Sequence, residues 1–536
     1  DLKKNCPDDK ILQELKLPEF LDYLMSNKWY GNKSGKGFYE KTIEKDSKGK
    51  PIINALNLNT LEYQQDVKST LESIQISKQI DDLSKRLKAI IKLNDSGAEL
   101  IKKSLAYLFV YSSQRLPEIT DHLYSVDQAM KAGYAWELGP FEYWDAIGLD
   151  AGFALIESIG EKASDWVYEM QLQGKHTFYK IENDQQWFYN IESKNYEIIP
   201  HQENVIQLNI LSKNKIVYEN SELKLHDIGN EVLCAEFISK HNVIGEGILR
   251  GLPECIKIAE EQSWRGLVIG NNAHNFTVGA NIMMIGMLAF QQEYDQLDMA
   301  VRLFQNTSMR LRYSKVPVVM ATQGYVFGGG TEFLMHCDAA VCSVESYIGL
   351  VEVGVGLIPG GGGTKEFALR FSDEMKEEEV LIPQLIHKFK TIATASVSTS
   401  AYEAFDYGYL LHHRDQISVN GSTHIHQAKQ KVIQLSENYI ASSPRNDIMV
   451  LGRSALGSLN AAAHSLWKAG YASEHDLKIA KKIAYVLCGG DLSYPQKVSE
   501  QYLLDIEREA FLSLCAEPKT LERIQYMLEN NRPLRN

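Results

Sequence analysis

Apolar residues recur at helical spacing from about 68 to 172, interrupted at Gly133, Gly139-Pro140 and Gly148, which predicts a helical domain. Residues 1–30 also read as helical, and the turn-rich run Gly31-Asn32-Lys33-Ser34-Gly35-Lys36-Gly37 ends that pattern. Between them, 41–65 is charged and polar around Lys48-Gly49-Lys50-Pro51 and reads as a connector. The period changes at 174–230. There Phe178-Tyr179, Trp187-Phe188-Tyr189 and Tyr196 alternate with polar residues across Asn-Asp and Ser-Lys-Asn turns, which predicts short hairpins. From 231 strands and helices alternate: Val232–Ile238, a helix over 246–261, Gly266–Ile269 and Pro317–Ala321. The stretch 365–430 fits neither period, whereas 446–536 is helical and rich in Ala, Leu, Lys and Glu.

A chain of 536 residues suits about three or four domains. Its formal net charge of −13 argues against a nucleic-acid grip, which needs basic patches. Seven scattered cysteines without C-x-x-C spacing read as reduced thiols and point to the cytoplasm. The longest apolar run, near residue 285, is about half the ~20 residues of a membrane span, and no signal peptide is visible. The chain opens on Asp1 and not Met, so a further segment upstream is expected.

Two glutamates carry the chemistry. Glu332 ends Gly324-Tyr325-Val326-Phe327-Gly328-Gly329-Gly330-Thr331-Glu332, and Glu352 sits between Gly349 and Gly354, ahead of Ile358-Pro359-Gly360-Gly361-Gly362-Gly363-Thr364. Carboxylates among core residues are rare unless paired or used. Two such groups in one apolar pocket can split into an acid and a base. Other motifs read blandly. Thr364 precedes Lys365, so the glycine run lacks the P-loop order. His412-His413 and His424-x-His426 lack partners at zinc spacing and read as solvent-facing, so no metal is expected. Met283, Met284 and Met287 read as core filling.

Residues 231–365 resemble the crotonase (enoyl-CoA hydratase/isomerase) superfamily at three places in order: Phe276-Thr277-Val278-Gly279-Ala280-Asn281-Ile282, Gly324 to Glu332, and Glu352 to Thr364. Asn281 departs from the family's usual Asp. The resemblance implies that Ala280 and Gly329 supply backbone N–H groups to an oxyanion hole for the acyl-CoA thioester, with Gly279, Gly328 and Gly360 lining the substrate. Glu332 and Glu352 match both hydratase glutamates, which implies hydration of trans-2-enoyl-CoA. Isomerisation with one glutamate, or a non-catalytic assembly role in a β-oxidation complex, stays open.

The N-terminal part resembles the helical C-terminal domain of the L-3-hydroxyacyl-CoA dehydrogenases. Trp29–Tyr39, Asp127-Gln128-Ala129-Met130 and Gly139-Pro140 through Gly148-Leu149-Asp150 carry the likeness. No G-x-G-x-x-G follows a strand, so no NAD site is expected in this chain, and NAD is expected in a longer parent protein. The whole resembles bifunctional proteins with dehydrogenase first and hydratase second, implying a thiolase partner and homo-oligomers. The expected organisation is multidomain α/β: 1–40, end of a first dehydrogenase helical repeat; 41–97, connector; 98–172, second repeat; 173–230, β-hairpin linker; 231–445, crotonase spiral of ββα units; 446–536, C-terminal helices.

Overall fold

The computed structural model describes residues 2–45, 51–65, 70–376 and 380–536, which fall into two compact units, one of residues 1–179 and 188–197, the other of 180–187 and 198–536. Among the described residues, no helix is long and apolar enough to cross a membrane.

In the first unit the expected helix over 1–30 is three short ones, Leu2–Asn5, Lys10–Glu14 and Glu19–Ser26, because Pro7 and Pro18 interrupt it. The expected connector is folded. Strands Tyr39–Lys45, Pro51–Leu56 and Tyr63–Gln65 form an antiparallel sheet, and helices Glu72–Gln79 and Leu83–Ile90 follow. Its strands bury little, which hid them in a polar stretch. Lys48, Gly49 and Lys50 lie outside the described residues. The Lys36 ammonium sits 4.3 Å from the Trp29 ring centre and 4.2 Å from that of Tyr63, so the Trp29–Tyr39 turn is pinned by cation–π contacts.

The helical region over 98–172 appears as expected, and its motif residues act structurally. Gly139 has no side chain to cap helix Pro140–Ile147, so Asp127 accepts from Phe141 N at 2.9 Å and Glu142 N at 3.1 Å instead. A Cβ at Gly139 would stand 2.3 Å from Asp127 Cα. Asp145 likewise accepts from Phe178 N and Tyr179 N, both at 2.8 Å.

The second unit is built on a seven-stranded sheet. Its strands are β1 (Ile216–Glu219), β2 (Leu223–Asp227), β3 (Val232–Phe237), β4 (Gly266–Ile269), β5 (Val318–Phe327), β6 (Ala339–Gly349) and β7 (Gln416–Ser418), in the order β7-β6-β5-β4-β3-β2-β1. The strands from β3 to β7 pair in parallel and β1 and β2 join antiparallel. The sheet therefore starts at 216, inside the segment expected as linker, because Leu223 and Leu225 alternate into the core. The hairpin expectation holds at Tyr179–Glu182, Gln185–Asn190 and Asn195–Ile198, each a strand. Parallel strands are buried on both faces. Leu233, Ala235, Leu267, Ile269 and Met320 face one core cluster, while Val232, Cys234, Val268, Val319 and Ala321 face another with Ile425, Ala428 and Val432.

Six helices matter for the site: α1 (Glu246–Glu261), α2 (Ile282–Phe290), α3 (Tyr294–Arg312), α4 (Gly329–His336), α5 (Gly363–Glu374) and α6 (Glu500–Cys515). β5 runs past the expected end at Ala321 because the register shift between Thr322 and Gly324 lets pairing resume with β6. Gly324 takes φ +55°, and a Cβ there would lie 2.3 Å from His274 O. The stretch 365–430 resolves into α5, helices Leu381–Ala393 and Ala401–Asp406, β7 and part of helix His424–Ser436. The segment 446–536 is helical with one strand pair, Ile448–Val450 on Gln496–Val498, and it belongs to this unit's own fold.

Burial is the main cause that raises Asp127 and Asp145 to about 7, against the hydrogen bonds to their charged forms. A carboxyl raised on folding stabilises below its unfolded value near 4 and loses that contribution as pH climbs through about 7. Hydrogen-exchange protection of helix Pro140–Ile147, corrected for intrinsic rates, is expected to fall between about pH 5 and about pH 7.5. Asp127→Asn should flatten that fall, and an unchanged slope would contradict the assignment.

Candidate active site

Two turns meet at the C-terminal ends of β4 and β5. The first follows β4: Phe276 N donates to Gln323 O at 2.9 Å, Thr277 N to Tyr325 O at 3.0 Å, and Phe327 N to Thr277 O at 3.2 Å. These bonds lay the turn along β5. Ile244 N then donates to Gly279 O at 2.9 Å and Asn281 N to Ile244 O at 3.2 Å. Bonding on both sides of Ala280 turns the Ala280 N–H away from Ile244. Asn281 caps α2 by accepting from Met284 N at 3.1 Å.

The second turn ends β5. Gly328, at φ +52°, donates to Gly349 O at 2.9 Å, and Gly329 opens α4. A Cβ on Gly279 would stand 3.7 Å from Gly329 N, so the two turns adjoin. Among the described residues neither Ala280 N–H nor Gly329 N–H has a protein acceptor. Gly329 is held to glycine by packing, since a Cβ there would meet the Phe304 ring at 2.4 Å.

Glu332 lies one turn into α4 and is 3% exposed. Its Oε1 accepts from Gly361 N and Gly363 N, both at 2.8 Å. Glu352 sits on the short 3-10 turn after β6. Its Oε1 would be 2.8 Å from a Cβ on Gly328. The residue as a whole is part-exposed, but its Oε2 is buried and has no hydrogen-bond partner among the described residues. Burial raises Glu332 to about 7, opposed by the two N–H bonds and the Lys365 charge. Burial raises Glu352 well above the carboxylate range, and the Glu332 charge adds to it. Glu332 is thus the more readily ionised of the two, and neighbouring carboxyls of unequal proton affinity can serve as an acid and a base.

A third carboxyl lies behind the pair. Glu507 on α6 accepts from Gly362 N at 2.7 Å and Lys365 N at 2.8 Å. Burial, then the Glu332 charge, raises it to about 8. His336 Nδ1–H donates to Glu332 O at 2.6 Å, which leaves Nε2 to accept from Lys365 Nζ at 2.7 Å. Burial and then the Lys365 charge keep that imidazole neutral, with its pKa well below the usual range. Lys365 also donates to Glu500 at 2.7 Å.

Ala280, Gly329, Gly279, Gly328, Glu332 and Glu352 are thus gathered around the two turns. Gly360 is placed differently from the other glycines. A Cβ on it would meet the Phe511 ring at 2.7 Å, so it faces α6 packing. Sequence reasoning missed Glu507, Glu500, His336 and Lys365. A signal existed: Glu500, Leu503, Leu504, Glu507 and Phe511 share one helical stripe, and acids on an apolar stripe are unusual.

Two expectations are corrected. His424 is buried and not solvent-facing, its Nδ1 donating to Gly421 O at 2.6 Å, because it opens a helix packed on the sheet. His412 and His413 are exposed as expected, and no group of three metal-binding side chains occurs among the described residues. Met283 and Met287 are 64% and 53% exposed, so they do not fill the core; only Met284 turns inward.

Residues 238–387 match the family described as enoyl-CoA hydratase/isomerase. The second unit has a crotonase fold, within a multidomain α/β architecture. A Bacillus subtilis protein named for 3-hydroxyacyl-CoA dehydrogenase is 38% identical over 97% of this chain and 64% of its own length. A Rickettsia felis protein named for a fatty acid oxidation complex trifunctional enzyme is 26% identical over 95% of this chain and 62% of its own. The chain therefore spans less than two thirds of either relative. Among solved structures, an enoyl-CoA hydratase from Bacillus halodurans aligns over 57% of this chain and 99% of its own, at 15% identity and a TM-score of 0.38.

Gly329→Ala should be costly without touching a catalytic atom. The added methyl must push Phe304 off its stacked partner Phe333, 4.8 Å away, at about 1–3 kcal/mol. Denaturant unfolding is expected to show that loss, and unchanged stability would mean that the ring moves freely.

Proposed function

We propose that this chain adds water to a trans-2-enoyl-CoA thioester to give the 3-hydroxyacyl-CoA, within fatty-acid β-oxidation. The observation that carries the reading is the pair Glu332 and Glu352, two carboxyls of unequal proton affinity beside two unpartnered backbone N–H groups. Water is placed between the carboxyls. Glu332 takes one of its protons as the oxygen bonds C3, and Glu352 gives its own proton to C2. Between these events the thioester oxygen carries enolate charge, which Ala280 N–H, Gly329 N–H and the N-terminal dipole of α4 stabilise. The net result is a proton moved from Glu352 to Glu332 through the product, and exchange with solvent restores the starting state.

Isomerisation of 3-enoyl-CoA is the second reading, since the matched family includes isomerases and one glutamate suffices there. Two carboxyls fixed at one site favour hydration. Substitution of Glu332 or Glu352 by Gln should each lower kcat for crotonyl-CoA hydration about 10²-fold or more. In the parental protein kcat/KM should fall as pH drops below about 7 and Glu332 takes up its proton, and Glu332→Gln should abolish that limb. Parental turnover in both variants would leave the assembly-module reading in its place.

The longer protein implied by the relatives would oxidise the 3-hydroxyacyl product with NAD, act in the cytoplasm as an oligomer, and pass its product to a thiolase. The residues of this chain do not fit that cofactor, for among the described residues no G-x-G-x-x-G turn follows a strand. Calorimetric titration with NADH should therefore show no binding tighter than about millimolar. A tighter isotherm would place a nucleotide site here.

A further inference from the structure

The loop Gly360–Gly363 and the first residues of α5 present their N–H groups alternately to two sides. Gly361 and Gly363 donate to Glu332, while Gly362 and Lys365 donate to Glu507. One short piece of backbone is thus clamped between two buried carboxyls from different helices, α4 and α6. Glu507 is fully buried and sits over 140 residues further along the chain than the loop it holds. Its own seat is fixed by Gln305, whose Nε2 donates to Leu504 O at 3.0 Å and lies 3.5 Å from Glu507 Oε1. Gln305 Oε1 in turn accepts from Arg508 at 2.9 Å.

We propose that Glu507 is a positioning residue for the reaction: by holding Gly362 N–H and Lys365 N–H it fixes the loop so that Gly361 and Gly363 keep the Glu332 carboxylate aimed at its substrate water. The inference rests on the hydratase reading. Glu507 touches neither substrate nor reacting atoms; its effect passes through the loop to Glu332. The geometry explains why an acid is kept where burial and the neighbouring Glu332 both oppose its charge. An apolar side chain at 507 would leave two buried N–H groups without acceptors. The loop would then turn to recover them, and displacement of a general base by about 1 Å can cost on the order of 10²-fold in rate.

The test measures crotonyl-CoA hydration by E507A, E507Q, E332Q and the double variant E332Q/E507A. E507A is expected to lose about tenfold or more in kcat with KM within about threefold, because ground-state binding does not involve the loop's aim. E507Q keeps one acceptor oxygen and should fall between E507A and the parent. The double variant should turn over at about the rate of E332Q alone, since Glu507 acts chiefly through Glu332 and its charge is only a minor cause of the rise of Glu352. Parental kcat in E507A and E507Q, or losses that multiply in the double variant, would overturn the proposal. Should E507A not fold, E507Q decides: an intermediate kcat supports it and a parental kcat overturns it. The two readings separate cleanly, because parental turnover in E332Q would defeat the hydratase assignment whatever the Glu507 variants do.

Discussion

A buried carboxylate held by groups that favour its charge is the constraint that shapes the second unit. Glu332 is held by two backbone N–H groups, which stabilise its charge while burial opposes it. The balance leaves it near neutrality. Backbone donors suit this work because they cannot be lost by rotation of a side chain, and they lie close only where the loop has no Cβ atoms in the way. A Cβ on Gly361 would stand 2.7 Å from Glu332 Oε2, and one on Gly363 3.0 Å from Oε1. The glycine run follows from the carboxylate.

The same constraint explains what could be read from residues alone. The turns around Ala280 and Gly329, both glutamates and the strand positions from Val232 to Ile269 were legible, because local chemistry dictates them: glycine where backbones meet, alternation where a sheet is buried. The strands over 39–65 were not, for their faces are largely solvated and carry no burial signal. Nor was the place of Leu223 and Leu225 in the main sheet, since pairing with β3 is a tertiary fact. His424 and the pair Met283 and Met287 were misjudged for a related reason. Residue type sets a tendency to be buried, but the neighbouring element decides, and neither neighbour can be seen from the local sequence.

Glu507 shows the limit most clearly. Its partners lie in a loop far back along the chain, so no spacing rule connects them. What was visible was the anomaly of two acids, Glu500 and Glu507, on the apolar stripe of α6. Each meets part of the segment that begins α5: Glu500 receives the Lys365 ammonium, and Glu507 receives the Lys365 and Gly362 N–H groups.

That arrangement ties the C-terminal helices to the chemistry. The fully buried Lys365 needs a counter-charge, because an isolated ammonium in such surroundings would be strongly disfavoured. Glu500 supplies it, with Glu366 nearby and shared among Arg312, Arg370 and Lys365. Burial would raise Glu366, yet Arg312, Lys365 and Arg370 hold it well below the carboxylate range. Glu366 thus stays charged while His336, between Lys365 and the Glu332 carbonyl, stays neutral. Without α6 the loop would lose Glu507, Lys365 would lose Glu500, and the anchor under Glu332 would have nothing to rest on. α6 is therefore part of the site's architecture, and the unit that can carry the proposed reaction includes it.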